Sequence, residues 1–413
     1  MSNSVTHPNP DGLKLSISHR EFVAMMAMIF GLQALGIDLM LPALEQIGTF
    51  YQIENANSQQ WIVISFVLGF GFPQLIWGPI ADRFGRKILL QLSLIGYAIF
   101  AMACMLAPTF ESLLFFRLCQ GIACSGTRVS AGAIIRDVSS GRAMARIMSL
   151  VFTVFMVVPI LAPGLGTIVI ATLGWSWTFG VLGVFATLVF IWTGFRLPKT
   201  MQEARPISLD SIVGGFKRVL SHRTSFGYMC ASGVIFGSLF AFIAASEQVF
   251  DEVFDRGEMF WAYFAGIAGG LAVMNYLNSR VVEHLGMRRI SHTMVILFIV
   301  ASATNLAYMY FIGENFWVFY GLFIVSFACF GMIGANFASL ALEPMGDIAG
   351  TANAVYGFFT STGASLLGLA IAQQFNGTVI PLLIGYVGLG LASLAIILIT
   401  EEGKLFELGV GKS

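Results

Sequence analysis

Two ionisable side chains stand where ionisable side chains are costly. Asp38 lies inside an apolar run over 21–43, and Arg117 inside another over 111–135. Charged groups inside membrane-length apolar segments are rare and usually face a cavity or a partner. Asp38 is the only carboxylate well inside such a run. An acid whose protonation is set by competition between desolvation and a nearby cation can carry a proton from one conformation to another. A static pair that locks two helices is the plainer use of the same two residues. Arg128 follows Arg117 by eleven residues, which at about 100° per residue returns it to the same helix face as Gln120, Gly121 and Cys124. It is open to two roles, contact with an anionic group of a bound molecule or snorkelling toward water. No nucleophile–base pair, metal-ligand cluster or nucleotide loop accompanies these residues. The five cysteines (Cys104, Cys119, Cys124, Cys230 and Cys329) fall inside apolar runs without metal-like spacing. Proton and ion binding inside a membrane is therefore the expected chemistry, with no cofactor and no metal.

The elements that must position these residues are membrane spans. The chain is 57% hydrophobic and 11% charged, far below the usual charged fraction of about 25%, and no soluble domain could hide that much apolar surface. A spanning helix needs about 20 apolar residues. Twelve runs qualify, over 21–43, 59–80, 88–106, 111–135, 147–172, 177–197, 225–248, 259–279, 291–312, 316–342, 350–374 and 379–400. An even number of spans leaves both termini on one side. Of the 22 Lys and Arg, Arg117 and Arg128 lie within spans and Arg256 alone marks one set of loops; all the others mark the opposite set. The positive-inside rule makes that opposite set, with both termini, cytoplasmic. A net charge of zero offers no basic patch for nucleic acid. Counted along the spans, Asp38 is about five residues, or about 8 Å, from its outer end, and Arg117 sits at nearly the same depth. The two can meet if their helices share a cavity.

The segment 198–224 divides the spans six and six. It reads as a cytoplasmic linker with an amphipathic stretch over 209–220, between a tail at 1–20, halves at 21–197 and 225–400, and a tail at 401–413. Each half carries a charged, glycine-punctuated turn after its second span. The first is Gly78-Pro79-Ile80-Ala81-Asp82-Arg83-Phe84-Gly85-Arg86-Lys87. The second, Glu283-His284-Leu285-Gly286-Met287-Arg288-Arg289, aligns Gly286 with Gly85 at an offset of 201 residues. Inverted or parallel repeats of helical halves are what transporter architectures show.

The first turn, G-x-x-x-D-R-x-G-R-K, resembles the signature loop of the major facilitator superfamily. Arg117-Leu118-Cys119-Gln120-Gly121 resembles its R-x-x-Q-G signature. Pro159-Ile160-Leu161-Ala162-Pro163-Gly164-Leu165-Gly166 resembles the antiporter motif in the P-I-L-A-P form of the Bcr/CflA group of drug exporters. Asp38 to Leu44 and the stretch Asn336 to Ala352 resemble the same group. The resemblance implies an all-α fold of twelve transmembrane helices in two pseudo-symmetric halves, and a monomeric bacterial inner-membrane exporter that exchanges protons for amphipathic drugs or metabolites. It casts Asp38 and Arg117 as the proton-coupling pair. Gly78, Asp82, Arg83, Gly85 and Arg86, with Asp137, become a conformational latch on the cytoplasmic side. Pro159, Pro163, Gly164 and Gly166 become a bent, closely packed gate, with Ala162 standing where the fullest motif has glycine. Gln120, Arg128, Asn275, Asn336, Asn353 and Tyr356 are the candidate cavity residues. A dedicated siderophore or metabolite exporter remains the nearest rival. A proton-coupled importer would need more hydrogen-bonding groups in its spans, and a receptor or enzyme on the same scaffold lacks any visible catalytic constellation.

Overall fold

The computed structural model describes residues 17–139, 141–198 and 209–406. Most of the expected N-terminal tail, linker residues 199–208 and the end of the C-terminal tail lie outside the described residues. The described chain is almost wholly helical. The first half comprises α1 (His19–Asp38), α2 (Leu44–Phe50), α3 (Trp61–Gly71), α4 (Gln74–Phe84), α5 (Arg86–Met105), α6 (Phe110–Val138), α7 (Gly141–Leu173) and α8 (Trp177–Arg196). An amphipathic helix, α9 (Leu209–Ser221), follows. The second half comprises α10 (Arg223–Gln248), α11 (Phe260–Leu285), α12 (Met287–Phe311), α13 (Phe316–Leu342), α14 (Ala349–Phe358), α15 (Ala364–Ala372) and α16 (Ile380–Thr400). Among the described residues, nine helical stretches are long and apolar enough to cross a membrane, or ten if the bent pair over 56–84 is one span. Large apolar side chains such as Ile168, Leu188 and Phe195 point outward, whereas Arg117, Gln60, His292 and Asn305 are fully buried. That inversion of the soluble pattern is what a lipid exterior requires.

Two spans depart from the straight rods expected. The first does not end near residue 43. Helix α1 stops at Asp38, a 3-10 turn over Leu41–Ala43 follows, and α2 carries the rod to Phe50. Pro42, which has no N–H and fixes its own φ, sits in that turn. Asp38 therefore marks a break within the rod rather than a point near its outer end. The second span bends by 45° between α3 and α4, where Pro73 interrupts the ladder.

The repeated turns fold alike. Gly85 (φ 101°) ends α4 and Gly286 (φ 80°) ends α11, conformations that side chains with a Cβ rarely adopt. Each glycine N–H returns to the helix it ends, Gly85 to Ala81 O (3.0 Å) and Gly286 to Val282 O (2.9 Å). The basic residue two positions after each glycine then ties the third spanning helix of each half to the end of the sixth. Lys87 donates to Gly194 O and Leu197 O at the end of α8. Arg288 donates to Glu401 Oε1 just beyond α16 (2.7 Å). Cations are well placed at carbonyl-rich helix ends.

Candidate functional site

Arg117 is fully buried, and its partners are not the expected one. Its Nε donates to Ile62 O (3.0 Å), Nη1 to Gln120 Oε1 (2.8 Å) and Nη2 to Gly36 O (2.8 Å). Its guanidinium also lies 4.5 Å from the Phe66 ring and 5.6 Å from the Phe179 ring. Gly36 is the third-last residue of α1, so its carbonyl is one of those a helix terminus leaves without an intrahelical donor. Arg117 thus caps the break in the first span and joins α1, α3, α6 and α8. Among the described residues, no hydrogen bond or ion pair joins it to Asp38. Matched depth placed the two at one level, but the orphan Gly36 carbonyl at the α1 break, with Ile62 O and Gln120, takes the guanidinium. Asp38 is 4% exposed, and no described residue forms a hydrogen bond or ion pair with it. A buried, unpaired carboxylate is costly when ionised, so the site suits a proton or a cationic ligand.

The antiporter-like segment packs against this same break. A Cβ on Gly166 of α7 would lie 2.1 Å from Leu39 O, the carbonyl next to Asp38. Only a hydrogen fits there. Gly164 faces the other half and lies in ordinary contact with Trp261 of α11, where a Cβ would have 3.8 Å of room. Pro159 and Pro163 sit inside α7, which continues through both. Thr167 Oγ1 donates to Pro163 O (3.0 Å). Ala162 is fully buried, so the position that departs from the fullest motif is packed.

On the side expected to be cytoplasmic, Arg86 gathers two carboxylates. It meets Asp82 at 3.2 Å and pairs closely with Asp137 at the end of α6, while its Nη1 also donates to Ala133 O (3.1 Å). Arg83 is exposed and joins no ion pair among the described residues, because it follows Asp82 on the outer face of the last turn of α4. Gly78 is not a close-packing position either, since a Cβ there would meet nothing within 4 Å. The close approach between halves lies nearer the membrane centre. A Cβ on Gly71 would be 2.3 Å from Thr362 Oγ1, and one on Gly357 would be 2.1 Å from Gln74 Oε1. Sequence reasoning missed this pair; Gly69-x-Gly71 in the second span was the available signal.

The candidate cavity residues separate into three groups. Gln120 is fully buried and serves Arg117, so it does not line a cavity. Asn336 is 2% exposed and clamps α13 to α11 through Asn278 Oδ1 (2.7 Å), which makes it a helix–helix bond. Arg128, Asn275 and Tyr356 are half-buried and Asn353 is exposed. Arg128 donates to Gln33 Oε1 (2.6 Å) beside the rings of Phe30 (5.1 Å) and Phe70 (6.0 Å). That geometry favours the interior role over snorkelling. Gln33 was not anticipated; a polar residue five positions before Asp38 in an apolar span was the clue.

Comparison with known proteins bears on the family and the fold. Residues 23–369 match the family described as Major Facilitator Superfamily. The chain is 27% identical over 379 residues to a bicyclomycin resistance protein homolog of Haemophilus influenzae, covering 88% of this chain and 91% of that protein. It is 27% identical over 343 residues to the multidrug resistance protein MdtL of Escherichia coli, covering 80% and 83%. A crystal structure of a D-xylose-proton symporter superposes with a TM-score of 0.75 at 15% identity, over 94% of this chain and 98% of the other. With a family match over most of its length and a matching fold, the chain belongs to the Major Facilitator Superfamily.

Proposed function

We propose that this chain is a proton-coupled antiporter that exports amphipathic small molecules across a bacterial inner membrane by alternating access. One observation carries the coupling mechanism. Asp38, a buried carboxylate without an ion-pair partner among the described residues, sits at a helix break whose next carbonyl packs on Gly166 of the antiporter-like segment. The names of the relatives, a bicyclomycin resistance homolog and MdtL, support drug export as the direction and substrate class. A proton taken up by Asp38 removes its charge and permits the break to stay packed against α7. Its release leaves a carboxylate that the interior stabilises only by rearranging or by admitting a cationic group. Substrate and proton then compete for one state of one site.

The rest of the reading follows from this. Helices α6 and α7 complete twelve spans in halves at 21–197 and 225–400, with both termini and the 198–224 linker cytoplasmic. Asp82, Arg86 and Asp137, all in the first half, form a cytoplasmic latch whose pairing opens and closes as the second half moves against it. Arg128, Gln33, Asn275, Asn353 and Tyr356 line the substrate path, where few polar groups among many apolar ones suit a broad substrate range. The chain acts as a monomer. The test is a growth-inhibition panel of chemically diverse toxic compounds in cells with and without the protein, followed by transport in proteoliposomes under an imposed proton gradient. Protection against several unrelated amphipathic compounds, with gradient-dependent export of them, is expected; protection against a single compound class would replace drug export with a dedicated metabolite exporter.

A further inference from the structure

At one end of the bundle the two halves are joined by side-chain amides. Gln60 Nε2 donates to Gln248 Oε1 (2.8 Å) and to Ala372 O (3.0 Å). Gln373 Nε2 donates to Gln60 Oε1 (2.9 Å) and to Asn57 O (2.7 Å). Asn57 Nδ2 donates to Phe375 O (2.9 Å) and Gln373 O (3.2 Å), and its Oδ1 accepts from Gln248 Nε2 (3.2 Å). Gln60 is fully buried and Gln248 is 1% exposed. Each bond runs from the short helix Ala56–Gln60 of the first half to the end of α10 or α15 in the second. The charge distribution makes this the outer end.

The surroundings are charged, and Gln59 and Gln248 each also donate to a carboxylate, but every bond by which Asn57, Gln60, Gln248 and Gln373 join the two halves runs between neutral groups. Glu247 is 8% exposed and accepts from Gln59 Nε2 (3.4 Å). Glu45 of the first half and Asp251 of the second bring their carboxylate oxygens within 4.8 Å of one another and of Glu247. Glu252 accepts from Gln248 Nε2 (3.3 Å). Arg256 is turned away over the Phe316 ring, 5.3 Å from its centroid. A lock made of ion pairs here would strengthen and weaken with every change in proton occupancy nearby, whereas amides donate and accept at any ordinary pH.

We infer that Asn57, Gln60, Gln248 and Gln373 form the main lock of the outer gate, and that the lack of charge in their bonds between the halves keeps that lock independent of proton occupancy. The inference rests on alternating access, but its test reads the separation of the halves rather than transport, so it can fail while the export reading stands. Spin labels at Glu54→Cys and Glu258→Cys, one on each half, are introduced into the full-length chain with its native cysteines replaced, and electron–electron distances are measured in liposomes. In Gln60→Ala/Gln373→Ala, which loses the bonds that those two amides donate, the ratio of long to short distances should rise about tenfold or more at every pH. Gln60→Glu keeps the size of the side chain but cannot donate when ionised. It should show the same opening at about pH 8 and close again at about pH 4, where the carboxyl regains a donor. Should the double variant fail to reach the membrane, Gln60→Glu alone carries the test, because a merely structural defect would not reverse with acid. Distances equal to those of the parent in either folded variant, or opening in Gln60→Glu that ignores pH, would overturn the inference.

Discussion

Each of the three guanidinium nitrogens of Arg117 that donates does so within its own half, to two backbone oxygens and one amide. This assigns different work to the two intramembrane charges. Arg117→Ala should strand Gly36 O and the Gln120 amide oxygen in a dry interior, at a cost of about 3 kcal/mol. Arg117→Lys should fare little better, because a point charge cannot serve three acceptors arranged around a planar fork. Both are expected to lower membrane abundance and the thermal midpoint of the purified protein, and a stable Arg117→Ala that transports normally would refute the capping role. Asp38→Asn should leave abundance unchanged, since asparagine keeps the size and polarity of the protonated acid. Uphill export driven by a proton gradient should fall to background, and substrate should no longer release protons from the purified protein. If Asp38→Asn still concentrates substrate, Glu247 is the next carboxylate to test. The presence of both charges was legible in the chain because apolar runs advertise any interruption. Their separation was not, because residue counting fixes depth along a helix but not the direction a side chain faces, and the break at Pro42 moved Asp38 relative to the end of its span.

At the scale of elements, the repeated turns were the best-written part of the sequence. A glycine in the left-handed region with a cation two residues later is a local instruction, and both halves obey it. Acidic partners are less local. Asp82 finds Arg86 one turn on, yet Asp137 comes from the far end of α6. Glu283, aligned with Asp82 in the second half, forms no ion pair among the described residues, so the cluster belongs to the first half. Asp82→Asn and Asp137→Asn should each reduce export strongly while leaving abundance near normal, and full transport by both would dismiss the latch. The glycines separate by the space around them. Gly166→Ala meets Leu39 O at 2.1 Å and should cost about 1–3 kcal/mol with loss of transport. Gly78→Ala and Gly164→Ala have room and should be tolerated in both thermal unfolding and efflux assays. The motif alone ranks all three alike; only the packing distinguishes them.

For the whole molecule, the direction of every proposed step depends on which end faces the cytoplasm. Nothing in the sequence singles out Asn57, Gln60, Gln248 and Gln373, because nothing local reveals that three distant segments converge there. Orientation, by contrast, rests on a property summed over the chain. Arg256 is the lone cation of one set of loops, and the turn at Gly286 belongs to the opposite, basic set. Glu258 and His284 are both exposed, at opposite ends of α11. In intact cells, a cysteine in the Glu258→Cys variant should react fully with a membrane-impermeant thiol reagent. In the His284→Cys variant it should react only after permeabilisation. With that result the amide lock closes toward the outside, and Asp82, Arg86 and Asp137 sit where the cytoplasmic opening must form. Protons driving export must then reach Asp38 past the lock, so the lock has to open before each proton is loaded. The reverse labelling pattern would turn the molecule over in the membrane. The same residues would then describe an uptake system whose inner gate is held by neutral amides, and the assignment of an exporter would fall even with its proton site intact.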